Sequence, residues 1–270
     1  MSFDDHERSV WAGRAEAYDR SFALLCAHPA GALLDAARVA GGTRFLDVGT
    51  GSGTVAALAA GRGARVSAVD AEPSMVDLTK SRVPEAEVTT GILPHLPFAD
   101  ASFDAVVANF VVNHVGDPLA AVAEMMRLVR PGGRVAVTIW PAPAPPAQAL
   151  WGAVFDAAGV ERSGDLPRLP RDADFARTRE GLSNLIVRAG RVTDVEDAVL
   201  AWDHETEAEA WWSGPASGLS NAGVVMARQT PETVARIRRE FDRQTAAYRT
   251  PGGRLALPTS ALLAAATRSP

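Results

Sequence analysis

Asp47-Val48-Gly49-Thr50-Gly51-Ser52-Gly53-Thr54 sets three glycines at alternate positions behind a carboxylate, and Asp70 follows 17 positions after Gly53. Glycines so spaced let the backbone approach a ligand closely, and an acid at the end of the next strand can accept both hydroxyls of a ribose. The direct reading is a nucleotide site. The dinucleotide fingerprint, however, needs its third glycine one position later, where this chain has Thr54. Asp47 adds a second objection, because a carboxylate entering the loop repels a pyrophosphate and attracts an ammonium group. The ligand that suits these residues is adenosine-like and cationic, without phosphates.

Such a loop works only where a strand meets a helix, and the pattern around it supplies both. Arg44 to Val48 reads as a first strand, and a helix begins near Thr54 with Val55, Leu58 and Ala59 on one face. Arg65 to Asp70 reads as the second strand, Pro73 suits the first turn of the next helix, and Glu87 to Thr90 is a third strand. Asp104 to Phe110 is an almost continuous apolar run of the fully buried kind, and Leu119, Val122, Met126 and Val129 then repeat at helical spacing. Pro131-Gly132-Gly133 turns the chain into a fifth strand, Arg134 to Trp140. Strands alternating with helices in this way predict an α/β fold, a doubly wound Rossmann-like sheet. Before it, Trp11, Ala15, Tyr18, Phe22 and Leu25 fall on one helical stripe. After the stiff connector Pro141 to Pro146, helices are expected over 150–158, 175–189, 207–228 and 231–248, with strands over 195–202 and 260–267. The expected organisation is a helical lid over 1–40, a Rossmann-like core over 41–140, and helical additions with the last strands over 141–270.

S-adenosylmethionine has a ribose, an adenine, an ammonium group and a sulfonium, and so meets the ligand description. The sequence resembles the class I S-adenosylmethionine-dependent methyltransferases, in the branch of ubiquinone/menaquinone-type and small-molecule enzymes, from about Trp11 to Trp140. Four segments in order carry the resemblance: Phe45 to Gly53, Val69-Asp70, Leu96 to Asp104, and Leu128 to Gly133. It implies S-adenosylmethionine as cofactor. By the same resemblance Asp47, Gly49 and Gly51 lie beside the methionine part, and Gly53 helps close packing. Asp70 holds the ribose, Ala71 or Glu72 flanks the adenine, and Asn109 faces the methionine moiety through its carbonyl. One departure stands out: much of the family has an acid for the adenine amino group at the position of Ile92, and here Ile92, followed by Leu93, offers only apolar contact.

Methyl transfer is an in-line displacement in which positioning and exclusion of water do much of the work. His114, just after the fourth strand, is the best candidate for a general base, although a histidine satisfied by neighbouring backbone fits the same position. His204 and His6 are lesser candidates, and His95 sits in a loop. Trp11, Tyr18 and Phe22 are candidates to close over the cofactor, with Trp11 and Phe22 also touching the acceptor. Trp140, Trp202, Trp211 and Trp212 are candidate walls of an apolar acceptor pocket, and each equally suits a core. Trp151, on its helix, reads more simply as core.

The 270 residues carry a net charge of −5, with 47% hydrophobic residues and no low-complexity tract, which describes a globular chain without a basic field for nucleic acid. No apolar run approaches the roughly 18 residues a membrane helix needs, so no membrane partner is expected. The acidic start Ser2-Phe3-Asp4-Asp5 lacks a basic leader region, so a cytoplasmic location is expected. Cys26 is the single cysteine and Lys80 the single lysine, which excludes an internal disulfide and a thiolate zinc cluster and leaves Schiff-base chemistry one position. Thr138-Ile139-Trp140-Pro141 has no acid for a magnesium site, so no metal is expected. The expected function is methyl transfer to O, N or C of a small apolar or aromatic molecule. Two alternatives stay open: a non-methylating cyclisation or rearrangement using the cofactor as a structural or electrostatic element, and a non-catalytic binding module. Nothing in the sequence bears on the oligomeric state.

Overall fold

A computed structural model describes residues 1–161 and 166–270. The N-terminal stripe is split among four short helices, α1 (Phe3–Trp11), α2 (Ala15–Arg20), α3 (Phe22–Ala27) and α4 (Ala30–Ala36). The alternating core follows as β1 (Arg44–Val48), α5 (Thr54–Gly61), β2 (Arg65–Asp70), α6 (Pro73–Arg82), β3 (Glu87–Thr90), β4 (Phe103–Asn109), α7 (Pro118–Leu128) and β5 (Val129–Ile139). The remainder comprises α8 (Pro146–Ala157), α9 (Arg179–Ala189), β6 (Val192–Thr206), α10 (Ala208–Ala216), α11 (Ser220–Ala227), α12 (Pro231–Thr245) and β7 (Leu255–Arg268). The strands form one sheet in the order β3-β2-β1-β4-β5-β7-β6, parallel except for β7, which runs antiparallel to both neighbours.

Alternation along the strands decides which layer each side chain joins. Leu46, Val48, Val106, Val135, Val137 and Leu262 face one way and pack against Met125 of α7 and Leu182, Leu185 and Ile186 of α9. Phe45, Ala68, Ala105, Val107, Ala136 and Ala265 face the other way and meet Leu33 and Leu34 of α4 and Val55, Ala56 and Ala59 of α5. Leu58, expected on the buried face of α5, is 40% exposed, because the small Ala56 takes the contact with the sheet. The last helix of the N-terminal segment, α4, is therefore part of the core, and only α1 to α3 stand over the sheet's end.

β6 and β7 run past the carboxyl end of β5. Ile139 pairs with Leu262, while residues 255–261 of β7 continue outward, paired with 200–206 of β6. This ribbon, together with α8, α10 and α12, builds a third core around Trp151, Phe155, Trp211, Ile237, Phe241, Leu255 and Leu257. The helix expected over 207–228 is broken in two, because Gly218 sits at φ +85° and an added Cβ on Gly223 would come 2.2 Å from the Gly218 carbonyl carbon. At the opposite, amino end of the sheet, Asp104 accepts from the Arg44 amide and from the Arg44 and Arg130 guanidiniums. Arg44 foremost, then Arg130, hold its carboxyl well below the usual range. Glu124 of α7 accepts from the Leu96 amide and pairs with Arg127, which pins the segment leading into β4. No helix among the described residues is long and apolar enough to cross a membrane.

Candidate active site

A cavity of about 1130 Å³ opens at the carboxyl ends of β1, β2 and β4, where the strand order reverses between β1 and β4. This is the place an open α/β sheet offers a ligand.

Its floor is the glycine loop. Gly49, Gly51 and Gly53 have φ of +67°, +57° and +82°, and three different elements press on them. A Cβ on Gly49 would lie 2.3 Å from Val111 Cγ2, one on Gly51 3.2 Å from Tyr18 Cε1, and one on Gly53 3.1 Å from Thr79. The Gly49 and Thr50 amides both donate to the Val69 carbonyl, at 2.8 and 3.1 Å, and the Thr79 hydroxyl donates to the Gly51 carbonyl at 3.0 Å. The loop is thus shaped before any ligand arrives.

Asp70 ends β2 on the cavity wall, with Ala71 and Glu72 beside it. Its Oδ2 accepts from the Gly51 amide at 2.8 Å and its Oδ1 from the Glu72 amide at 3.0 Å. A carboxylate has about four acceptor sites, so two remain for a vicinal diol. Burial pushes the Asp70 carboxyl up, against the pull of those amides. The Glu72 carboxylate is engaged elsewhere: Oε1 accepts from the Ser74 amide and hydroxyl and from the Gly13 amide at 3.0 Å, tying the turn between α1 and α2 to α6. Ile92 and Leu93 add apolar wall on this side, and Tyr18 closes over Gly51.

Two residues assigned to the cofactor site do not reach the wall. Gly53, expected to help close packing, lies behind it as the N-cap of α5 against Thr79. Asp47 is 1% exposed beneath the loop, where it accepts from the Thr50 hydroxyl at 2.8 Å. Burial pushes its carboxyl up to about 7, with Asp70 adding to the rise. Between its unfolded value of 3.8 and about 7 the folded chain therefore holds a proton that the unfolded chain has lost, so this group lowers stability as pH rises through that window. Asp47→Asn, which keeps an acceptor for Thr50, should gain stability relative to the parent by about 2–4 kcal/mol between pH 4 and pH 8. Urea unfolding at both pH values measures it; a difference between the two proteins that is flat with pH would place the titration elsewhere.

The middle of the cavity is set by an unusual backbone. Phe110, directly after β4, has φ 59°, rare for a bulky residue. Its amide donates to the Thr138 carbonyl and hydroxyl, both at 3.1 Å, and its ring stacks on Trp140 at 3.8 Å. That turn carries the chain into the 3-10 segment Val112–His114. Asn109 donates from Nδ2 to the Cys26 carbonyl at 2.8 Å and accepts from the Thr138 hydroxyl at 2.6 Å, so its side chain fastens α3 to the strands. His114 lines the cavity with its Nδ1 2.7 Å from Glu7 Oε2 and the edge of Trp11 against it, centroids 5.4 Å apart. Burial pushes the Glu7 carboxyl up, but His114 foremost, His6 and the Trp11 indole pull it to a net value below the usual range. Asp4 accepts from the Gly116 amide at 2.6 Å and His6 meets Asn221 of α11 at 3.1 Å, so α1 spans the opening. Glu7 carried no sequence signal as a partner of His114, being 107 positions away; Asp117, its neighbour in sequence, caps α7 instead.

At the far end Phe22, Leu25, Cys26, Trp140, Trp151, Phe155, Trp211 and Val225 form an aromatic and aliphatic chamber. Trp202 and Trp212 do not belong to it. Trp202 stacks on His28 at 4.5 Å, and Trp212 packs between Trp151 and Phe241 under the Arg238 guanidinium. Trp151, which the helical pattern assigned to core, does line the cavity; the signal missed was Gln148, one turn before it on the same face of α8. His204 is 4% exposed behind Trp211, and burial foremost lowers it to about 4, so it is neutral. Among the described residues no cluster of His, Cys, Asp and Glu gathers to hold a metal.

Comparison with known proteins fits this geometry. Residues 46–137 match the methyltransferase domain family. The demethylmenaquinone methyltransferase of Beutenbergia cavernae is 40% identical over 122 residues, 45% of this chain and 51% of that one. That of Renibacterium salmoninarum is 40% identical over 105 residues, 39% and 44% of the two chains. The chain spans about half the length of the curated relatives it matches. Among solved structures, Haemonchus contortus phosphoethanolamine N-methyltransferase 2 in complex with S-adenosyl-L-methionine aligns with TM-score 0.58 and 16% identity, over 100% of this chain and 60% of that one. The [4+2]-cyclase SpnF aligns with TM-score 0.53 and 19% identity, over 90% and 81%. At such identities the two structures speak for the fold alone. With the strand order, the glycine loop and the acid ending β2 in place, residues 46–137 of this chain are similar to the methyltransferase domain family.

Proposed function

We propose that the protein transfers a methyl group from S-adenosylmethionine to an O, N or C atom of a small apolar or aromatic molecule. The observation that carries this reading is the continuity of the cavity, which runs from the Asp70 carboxylate and the glycine loop, past His114, to the tryptophan chamber. The residues present fit the cofactor. Asp70 has free acceptor sites for a ribose diol, and Gly49 and Gly51 leave no side chain between loop and ligand.

When bound, the cofactor supplies a methyl group on a positively charged sulfur. The chain's own residues do the rest. Asp70 and the loop fix one reactant, and the aromatic chamber orients the other against it. Trp11 and Tyr18, whose rings meet edge to face at 5.8 Å, help exclude water. His114 takes the proton that a hydroxyl or acidic carbon must shed, with Glu7 holding Nδ1 so that the other ring nitrogen is the acceptor. The net charge of −5 supports a free small molecule over a nucleic acid as acceptor. Methyl transfer is favoured over cyclisation because four relatives at 36–40% sequence identity bear the name demethylmenaquinone methyltransferase, while the cyclase shares only the fold.

The test is mass spectrometry of reactions with a panel of phenols, amines and acidic carbon compounds. A product heavier by one CH2, formed in step with S-adenosylhomocysteine, is expected. Product formed without S-adenosylhomocysteine would move the protein to the non-methylating class, and NAD binding tighter than S-adenosylhomocysteine would overturn the cofactor site.

A further inference from the structure

Beyond Asp70 the cavity wall changes character toward the edge of the sheet. β3 is the edge strand and pairs in parallel with β2, setting Thr90 beside Asp70. The loop that leaves β3 is fixed in place, with the Gly91 amide donating to the Asp70 carbonyl at 3.0 Å and the His95 amide to the Ile92 carbonyl at 2.9 Å. It is also tightly packed: a Cβ on Gly91 would lie 2.7 Å from Val69 Cγ2 and 3.2 Å from Leu96 Cδ2. The cavity wall here consists of Ala71, Met75, Gly91, Ile92, Leu93 and Leu96, and no side chain among them carries a nitrogen or an oxygen. Glu72 is the one acceptor side chain on this stretch beyond Asp70, and its Oε1 is taken by the Gly13 amide and by the amide and hydroxyl of Ser74. Met75 and Leu96 are 4% and 6% exposed, whereas Ile92 is 47% exposed. The slot is therefore closed at its inner end and open to water at Ile92, whose apolar side chain is a contact surface that the protein itself leaves half uncovered.

We propose that this slot holds the purine ring of the cofactor by apolar contact and does not read the group at purine C6, so that the protein binds derivatives altered at that position as well as it binds the 6-amino parent. The inference rests on S-adenosylmethionine being the cofactor, and it deepens that reading by dividing recognition between the two ends of the nucleoside. At the ribose, the free acceptor sites of the Asp70 carboxylate would be left unpaired by an analogue lacking a hydroxyl, which discriminates against it. At the base edge, no side chain of the slot would be left unpaired whatever C6 carries, and a 6-amino group keeps its water at the open end. Ile92 sets this tolerance. An acceptor in its place would pair with the amino group and be left without a partner by every other substituent.

Calorimetry on the full chain tests this with S-adenosylhomocysteine, its counterparts bearing hydrogen or methyl in place of the 6-amino group, and its 2′-deoxy counterpart. A methyl is close to the amino group in size and leaves N1 an acceptor, so the lost donor is the main difference. Both base analogues are expected to bind within about threefold of S-adenosylhomocysteine, and the 2′-deoxy ligand at least about tenfold more weakly. The Ile92 side-chain methyl resonances, assigned with Ile92→Val, should shift with each base analogue as with S-adenosylhomocysteine, while those of Ile186 and Ile237, both 0% exposed, hold their positions. Ile92→Asp should bind S-adenosylhomocysteine at least about fivefold more tightly than the 6-methyl counterpart. A base analogue bound tenfold or more weakly by the parent would overturn the inference, because an acceptor would then be holding the amino group. Ile92 resonances indifferent to the ligand, or an Ile92→Asp chain that folds and shows no preference, would overturn it by placing the base elsewhere. The parent's affinities and spectra decide the matter even if Ile92→Asp does not fold. If S-adenosylhomocysteine itself fails to bind, the cofactor reading falls and this inference with it; if only the base analogues fail, the cofactor reading stands and this inference alone is lost.

Discussion

Asp70→Ala should weaken S-adenosylhomocysteine binding by about 10- to 100-fold, the scale of losing charge-assisted hydrogen bonds to a ribose. Two effects combine. The diol loses its acceptor, and the Gly51 and Glu72 amides lose theirs, so the loop is less rigidly shaped. Asp70→Asn, which keeps one acceptor oxygen, should fall between variant and parent. Burial raises the Asp70 carboxyl, and a bound diol favours its ionised form, so the parent's affinity should decline as pH falls while the alanine variant's affinity stays nearly level. Calorimetry across pH, beside circular dichroism to confirm that the sheet persists, tests both statements. Parental affinity in Asp70→Ala would remove this residue from the site.

That Asp70 could be found in the sequence at all follows from how local its setting is. Strand, glycine loop, helix and the next strand's last residue lie within a stretch that periodicity and glycine spacing describe on their own: β1, β2 and β3 begin and end at the expected residues, and α6 starts at Pro73. The chemistry of the far end is different in kind. The chamber is built by α8, α10, α11 and α3, whose contact depends on how far β6 and β7 run past the sheet, and β7 begins at Leu255, five positions before the expected strand. Its outer half carries Pro258 and Thr259, which read as loop, and pairs only because β6 follows it outward register by register. Tryptophan content therefore indicated an aromatic chamber, but not which tryptophans. Trp211 faces in, while its neighbour Trp212 lies under Arg238. The single helix expected over 207–228 fails for a local reason the sequence did contain, Gly218 with φ +85°, but a glycine inside a helical pattern is as often tolerated as it is a break.

His114→Ala should lower kcat by about 100-fold for an acceptor that must lose a proton, with S-adenosylhomocysteine affinity unchanged. The sequence offered this histidine no oriented acid, and the fold supplies one from the opposite end of the chain. Glu7, 9% exposed and kept ionised chiefly by His114 against the penalty of burial, holds Nδ1 at 2.7 Å. A buried carboxylate there fixes the ring and stabilises the imidazolium that forms as the proton arrives, which makes Glu7 a positioning residue. Glu7→Gln retains an acceptor for Nδ1 but not the charge, so kcat should fall by about tenfold with the acceptor's KM nearly unchanged, and Glu7→Ala should fall further. The comparison separates catalysis from docking, because α1 keeps its other anchors, Asp4 to the Gly116 amide and His6 to Asn221, in either variant. If Glu7 served only to seat the helix, Gln would restore the parental rate, and KM, not kcat, would register the Ala variant. If His114→Ala keeps the parental kcat at saturating acceptor, the pair is a latch for α1, and alignment of the two reactants within the cavity is the main catalytic device.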